Sequence, residues 1–461
     1  MLAFLDRERT IAGPGFSRWL VPPAALSIHL AIGQAYAFSV FNIPLETIIG
    51  ITKPAPDDWA KTTDFWVFSV AIVVLGLSAA IFGKWLEAAG PRKAMFASAC
   101  CFGGGFLVSA VGIHFHQFAL MLLGYGVLGG IGLGLGYISP VSTLIKWFPD
   151  RPGMATGMAI MGFGGAAMIG GPLAVMLMKH FAGPTTNGVE QAFIVMGIAY
   201  FLFMLFGAAT VRVPPPGWKP AGFMPSVQPM KLVTAAQVTA DEAIKTPQFY
   251  LLWGILFLNV SASIGILQSA SPMIRDIFKS REMTAAAASG FVSFLSFFNM
   301  GGRFFWSSLS DYIGRKSTYF LYFLLGASLY CLMPTAGHAQ SLPLFVAGFA
   351  VILSMYGGGF ATVPAYLRDL FGTMQVGAIH GRLLTAWSAA GIAGPALVNY
   401  VQQYQVNHGV SPDRAYDLPM YIMAGLLVVG GVCNFLVTPV DSRHNFAARI
   451  DASKTNPSST S

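Results

Sequence analysis

Two stretches share one pattern: GKWLEAAGPRK at residues 83–93 and SSLSDYIGRK at 307–316. Each sets an acid (Glu87, Asp311) three residues before a glycine (Gly90, Gly314), with a basic pair beyond it (Arg92 and Lys93, Arg315 and Lys316). The two acids are 224 residues apart, as are the two glycines, Pro140 and Pro364, and Gly157 and Gly381; Pro172 and Pro395 are 223 apart. One offset recurring along the chain identifies a duplication, with the halves related as parallel repeats. In that arrangement a cargo binds near the bilayer midplane, between the halves. The motif also suggests a gate. An acid at one helix end can accept hydrogen bonds from the N-terminus of a neighbouring helix, while the glycine turn and basic pair hold the loop at the headgroups.

The duplicated material belongs in a membrane. Of 461 residues, 55% are hydrophobic and 10% charged, against about 25% charged in soluble proteins. A spanning helix needs roughly 20 apolar residues. Twelve candidates meet that need, near 19–44, 64–83, 94–112, 117–145, 153–178, 191–211, 248–270, 285–310, 317–334, 342–366, 374–402 and 419–438. The expected fold is an all-α membrane protein with twelve transmembrane helices in two pseudo-symmetric six-helix bundles, 19–212 and 248–438. They are joined by a Pro-rich cytoplasmic linker (213–247) containing VPPPGWKPAGFMPSVQPMK. Residues 1–18 form a cytoplasmic N-terminal segment, and 439–461 a polar cytoplasmic tail expected to be disordered.

Lys and Arg are enriched in cytoplasmic loops. Assigning alternate loops to two sides places 19 of the 27 basic residues with both termini, 7 opposite, and leaves Arg303 on neither. Both termini are therefore expected in the cytoplasm of a bacterium, with the chain multi-pass in its inner membrane. The net charge of +8 then reflects orientation, and no nucleic-acid partner is expected. The four cysteines (Cys100, Cys101, Cys331, Cys433) lie in apolar stretches without disulfide or metal spacing. LGGIGLGLGY (128–137) lacks the strand and trailing acid of a dinucleotide loop. Its glycines suit close helix packing instead. No cofactor, metal or enzymatic cluster is expected.

Arg303 is the exception inside FFNMGGRFFW (297–306). Lying eight residues before Asp311, it sits about 12 Å deeper in a helix rising ~1.5 Å per residue. All 19 acidic residues fall in loops, tails or helix ends, so none can neutralise it at mid-membrane. An intramembrane arginine costs roughly 2.5–3.5 kcal/mol and marks a functional site by default. Its repeat position, Ala79, has no charge, so the fold does not require one. A guanidinium stays protonated and binds a carboxylate through a fork of hydrogen bonds, which points to a carboxylate cargo. Asn299, one turn earlier, can orient it. His29 and Tyr36 are seven residues apart and Tyr356 and Phe360 four, so each pair shares a helix face. Phe163 and Trp387, again 224 apart, are expected to face each other across the pseudo-twofold axis.

GQAYAFSVF (33–41), GYISPVSTLIKWFPDRPGMATGMAIMGFGGAA (136–167) and GGRFFWSSLSDYIGRK (301–316) resemble the oxalate/formate antiporter family. That family is part of the major facilitator superfamily and related to the monocarboxylate transporters. The likeness spans nearly all of 19–438. It implies secondary transport of small carboxylates by alternating access, with Arg303 as the carboxylate anchor. It also implies a pocket walled by aromatics, here His29, Tyr36, Tyr137, Phe163, Tyr356, Phe360 and Trp387. The oxalate transporter of that family adds a lysine one turn after the helix-eleven aromatic; the matching residue here is Ala390. One fixed cation suits a monocarboxylate of the lactate, pyruvate or formate class better than oxalate. His29 can carry a coupling proton or serve as a neutral hydrogen-bonding group. A proton or a counter-transported anion is thus an expected partner, and the chain is expected to act as a monomer. Competing readings are an oxalate/formate-type antiporter and a carboxylate-sensing membrane receptor that moves nothing.

Overall fold

In the computed structural model, residues 2–223, 233, 237–281 and 284–446 are described. Residues 447–461 of the expected disordered tail and residues 224–232 and 234–236 of the central linker lie outside that set. Among the described residues the chain is helical apart from turns, loops and two isolated β-bridges, Ile11 with Val213 and Gly183 with Thr186.

The first half contains α1 (Val21–Ile32), α2 (Lys61–Ala89), α3 (Pro91–His114), α4 (Gly130–Trp147), α5 (Pro152–Phe181) and α6 (Val189–Thr210). The second contains α7 (Pro247–Ile277), α8 (Ala285–Ile313), α9 (Arg315–His338), α10 (Leu342–Phe371), α11 (Thr385–Asn407) and α12 (Asp417–Leu436). In lipid every backbone polar group must be satisfied within the segment, which leaves helices as the form these apolar runs adopt. Together they make the two six-helix bundles expected from the sequence.

Three of the expected spans are not continuous α-helix; the fourth span runs as Phe118–Met121, a π-helical stretch Leu122–Gly129 and then α4. α1 continues as a 3-10 segment, Gly33–Phe41, and α11 is preceded by a separate helix, Val376–Leu383, that breaks at Leu384. The interruptions at α1 and α11 adjoin the centre of the molecule. At α1, a Cβ on Gly33 would lie 2.7 Å from Phe163 Cα, so glycine lets this segment press on α5.

Ten described helical stretches are long and apolar enough to cross a membrane. The other two spanning elements are α8 and α11. α8 carries Ser289, Ser293, Ser296, Asn299, Arg303 and Ser307; α11 carries Ser388, Asn399, Gln402, Gln403 and Gln405. Helices that face a polar interior tolerate such residues, whereas lipid-facing helices do not.

The duplicated motif has the same geometry in both halves. Gly90 and Gly314 have φ of +87° and +85°, a region that disfavours any residue with a Cβ. Each acid reaches the opposite half. Asp311 accepts hydrogen bonds from the backbone N–H groups of Gly153 (2.8 Å) and Met154 (2.9 Å) in the first turn of α5. Glu87 accepts one from Gly377 N–H (2.9 Å) at the start of Val376–Leu383, and Lys146 pairs with its other oxygen at 2.7 Å. Helix N-termini carry partial positive charge, so each carboxylate caps a helix of the other half.

The basic pairs do not cross in the same way. Arg315 pairs with Asp311 (2.6 Å) and Asp369 (3.1 Å) within its own half. Lys316 donates to the Phe435 and Val437 carbonyls. Arg92 is 1% exposed and donates to the carbonyls of Phe4, Arg9 and Val211; only Lys93 is well exposed, 3.9 Å from Asp6. The expectation that both basic pairs anchor the loops at headgroups is corrected for Arg92, which is a buried clamp on the N-terminal segment, and for Arg315, which is buried in ion pairs with Asp311 and Asp369.

The linker adds a further bridge on this face. Asp241 pairs with Lys84 of the first half at 2.5 Å and with Arg382 of the second at 2.7 Å. The hydrogen bond from Lys84, joined by that from Arg382, holds the Asp241 carboxyl at about 2, so it stays ionised throughout the physiological range. Bonds on the opposite face instead hold loops within a half, such as Asn187 Nδ2 to the Thr47 carbonyl (3.0 Å) and Arg281 to the Gln340 carbonyl (2.9 Å). The bundle is therefore latched on its basic face. Asp311→Asn removes the charge that caps α5 and half of the Arg315 pairing, worth about 2 kcal/mol together. Spin labels placed across the basic face are expected to show a longer-distance population grown by roughly 30-fold; an unchanged distribution would contradict the latch.

Candidate functional site

Arg303 lies on α8 with 0% exposure. Its Nε donates to Asn299 Oδ1 at 3.0 Å, one helical turn away, and its Nη1 donates to the Ile160 carbonyl of α5 at 3.3 Å. Its Nη2 is buried without a hydrogen-bond partner. Ion pairs among the described residues lie at helix ends and in loops, and none involves Arg303. Asn299 thus holds one edge of the guanidinium. The fork is narrower than expected, however, because Nε and one Nη1 hydrogen are already committed. Nη2 and the second Nη1 hydrogen remain for an anion, meeting it end-on.

Rings close around the guanidinium. Its carbon lies 5.7 Å from the Phe163 centroid and 5.5 Å from that of Phe360, a cation–π arrangement that tolerates the charge without neutralising it. Phe163 and Trp387 meet edge-on at 5.4 Å, as their repeat spacing predicted. Phe360 lies 4.9 Å from Trp387, and Tyr137 lies 5.4 Å from Phe163 and 5.3 Å from Trp387. Tyr36 lies 4.9 Å from Phe163. Its hydroxyl is 3.1 Å from that of Tyr356, so α1's 3-10 extension and α10 bridge the halves over this cluster. His29 approaches Tyr137 at 5.5 Å. Ala390 is buried on α11, three residues after Trp387. All the residues expected to wall the pocket gather here except Ala390, for which burial on the neighbouring turn is what is established.

Several polar atoms in this cluster are buried without partners: Arg303 Nη2, His29 Nε2, Tyr137 Oη and Trp387 Nε1. A buried donor or acceptor left unmade costs about 1–3 kcal/mol, more for a charged group. They therefore gather unmatched hydrogen-bonding groups near one cation inside an apolar wall. What the cluster can do chemically is accept one negative charge and a few hydrogen bonds. It holds no pairing of nucleophile with base.

Close backbone approaches set the arginine's position. A Cβ on Gly164 of α5 would lie 2.7 Å from Arg303 Nε and 3.0 Å from its Cδ, and one on Gly357 of α10 would lie 3.0 Å from its Cγ. Gly164→Ala is expected to push the flexible guanidinium off its register and raise the transport KM about tenfold, consistent with an overpacking cost of ~1–3 kcal/mol. Counterflow kinetics on reconstituted variant protein check this; an unchanged KM would place the anion away from this wall.

A twelve-helix duplicated bundle agrees with what known proteins show. The family model described as Major Facilitator Superfamily matches residues 15–321 and 261–457. The chain belongs to the Major Facilitator Superfamily. It is a multi-pass membrane transporter, not an enzyme. Within the superfamily it is 26% identical over 383 residues to the oxalate:formate antiporter of Oxalobacter formigenes, covering 83% of this chain and 84% of that one. It is 23% identical over 399 residues to the apicoplast pyruvate carrier 1 of Toxoplasma gondii, covering 75% and 71%. Among solved structures, a bacterial homologue of the iron transporter ferroportin in an outward-facing state matches with a TM-score of 0.64 at 14% identity, covering 90% of this chain and 98% of that one. This last likeness concerns the superfamily fold alone.

His380, on Val376–Leu383, is a site residue the sequence reading did not identify. It is 2% exposed, its ring lies 5.7 Å from Tyr137, and its Nδ1 has no partner. Its seven-residue spacing before Trp387 is the signal that marked His29 with Tyr36. Ser388, whose hydroxyl donates to the Ile72 carbonyl of α2 at 2.6 Å, is a second polar contact across the halves that no local pattern marked.

Proposed function

We propose that the chain carries small monocarboxylates of the lactate, pyruvate or formate class across the bacterial inner membrane by alternating access, with both termini cytoplasmic. The observation that carries this reading is Arg303: fully buried, without a carboxylate partner, and with Nη2 unmatched among aromatic rings. The carboxylate of the cargo neutralises it. His29, Tyr36, Tyr137, Phe163, Tyr356, Phe360 and Trp387 exclude water from the pair, and in a water-poor site the charge-assisted bonds strengthen. Glu87 and Asp311 release their capped helices when the basic face opens. The cycle is driven by proton symport or by exchange against a second anion.

The absence of a second cation favours a monoanion. Ala390 offers no charge on the turn after Trp387, and a dicarboxylate would bring a second negative charge into low dielectric without a partner. A second reading, exchange of oxalate for formate, is favoured by the relative from Oxalobacter formigenes. Counterflow into proteoliposomes across a panel of small acids, at two pH values, separates them. Lactate, pyruvate and formate are expected to exchange saturably. Oxalate outcompeting all three would overturn the monocarboxylate reading in favour of the second.

A further inference from the structure

His29 is fixed in a way that bears on which monocarboxylate fits, and the argument rests on the carboxylate reading above. Its Nδ1 stands 3.2 Å from the Ala25 carbonyl one turn earlier on α1. A carbonyl can only accept, so Nδ1 carries the hydrogen and a neutral ring presents a bare lone pair at Nε2. That atom is fully buried and unpartnered, although the Tyr137 ring lies 5.5 Å away and the Tyr137 hydroxyl is itself unpartnered. The two groups therefore do not satisfy each other.

The unmatched atoms of the cluster fall into two kinds. Arg303 Nη2 and Trp387 Nε1 are donors only, and the Tyr137 hydroxyl can donate. His29 Nε2 is an acceptor. A simple carboxylate such as acetate brings acceptors alone and leaves the lone pair of His29 unmet. A 2-oxo acid brings still another acceptor. A 2-hydroxy acid brings two carboxylate oxygens and one O–H donor on the adjacent carbon.

We infer that His29 selects 2-hydroxymonocarboxylates, accepting the substrate's hydroxyl hydrogen at Nε2 while Arg303 holds the carboxylate. The charged and titratable groups facing His29 from other elements are Arg303 of α8, Tyr137 of α4 and His380 of Val376–Leu383. All three have a buried unpartnered polar atom, a donor on Arg303, a hydroxyl on Tyr137 and Nδ1 on His380, and none brings a carboxylate that would compete for a proton on the ring.

The test is inhibition of counterflow in proteoliposomes by acids of matched shape: lactate, isobutyrate, which replaces the hydroxyl by a methyl, and pyruvate, which replaces it by an oxo group. One neutral hydrogen bond is worth a factor of about ten. Lactate is expected to inhibit at about tenfold lower concentration than isobutyrate or pyruvate. In His29→Phe the ratio is expected to fall to about one, and in His29→Gln, which keeps an acceptor, to lie between. If the three acids inhibit the wild-type protein equally, the inference is overturned while the Arg303 anchor stands. A lactate advantage that persists in His29→Phe also overturns it, by placing the hydroxyl elsewhere. If no monocarboxylate competes at all, the anchor reading itself fails. The wild-type ratio decides the matter even where a variant does not fold.

Discussion

Arg303→Lys is expected to reduce carboxylate counterflow by roughly 100-fold or more, and Arg303→Gln by at least as much. Each charge-assisted hydrogen bond is worth about 1.5–3 kcal/mol, and two such bonds correspond to a factor of roughly a hundred to a few tens of thousands. The lysine variant is the sharper of the two because it preserves the charge. An ammonium is a compact point charge without the planar fork. It also loses the anchor that Asn299 Oδ1 provides to Nε at 3.0 Å, so the cation is no longer held towards α5. Transport by Arg303→Lys at wild-type rate would mean that the site needs positive charge and nothing more.

Ala390→Lys is expected to invert selectivity. The side chain emerges from a buried position three residues after Trp387, where a second cation would share the site with Arg303. Two unit charges about 4 Å apart interact by about 4 kcal/mol at the effective dielectric of a protein interior. Desolvation offsets part of that. The ratio of oxalate to lactate transport should therefore rise by roughly 30- to 100-fold. Lactate itself should be carried less well, because a monoanion leaves one of the two cations unpaired. Competition counterflow with both acids checks the ratio. A variant that folds, transports lactate normally and ignores oxalate would show that the position does not face the cargo.

The elements legible in the sequence are those set by local pattern or by duplication. Apolar runs of bilayer length gave the spans, and the repeat offset paired Phe163 with Trp387 before any coordinate placed their rings 5.4 Å apart. The acids of the repeated motif were legible for the same reason, since capping a neighbouring helix needs only an acid at a helix end. Arg303 stood out by its cost. What the sequence did not carry were facts of long-range packing. His380 belongs to a helix broken from α11 at Leu384, and no proline or glycine at the break announces it. Arg92 resembles a headgroup anchor in sequence, yet the carbonyls of Phe4, Arg9 and Val211 converge on it from distant positions. The commitment of Arg303 Nη1 to the Ile160 carbonyl likewise depends on how α5 crosses α8.

Polar side chains, Arg303 among them on α8, make α8 and α11 less apolar than the other ten spanning stretches. On α8 Asn299, Arg303 and Ser307 are buried while Ser289 and Ser293 are exposed; on α11 Ser388 is buried while Asn399 and Gln403 are exposed.

The most direct measurement is equilibrium binding of lactate to the purified protein, followed by calorimetry for wild type and Arg303→Lys, with thermal melting as a check on folding. Saturable binding by the wild type, weakened about 100-fold or more in a variant that melts at a similar temperature, is the predicted result. Equal affinity in the two proteins would contradict the assignment of Arg303 as the group that receives the cargo's negative charge.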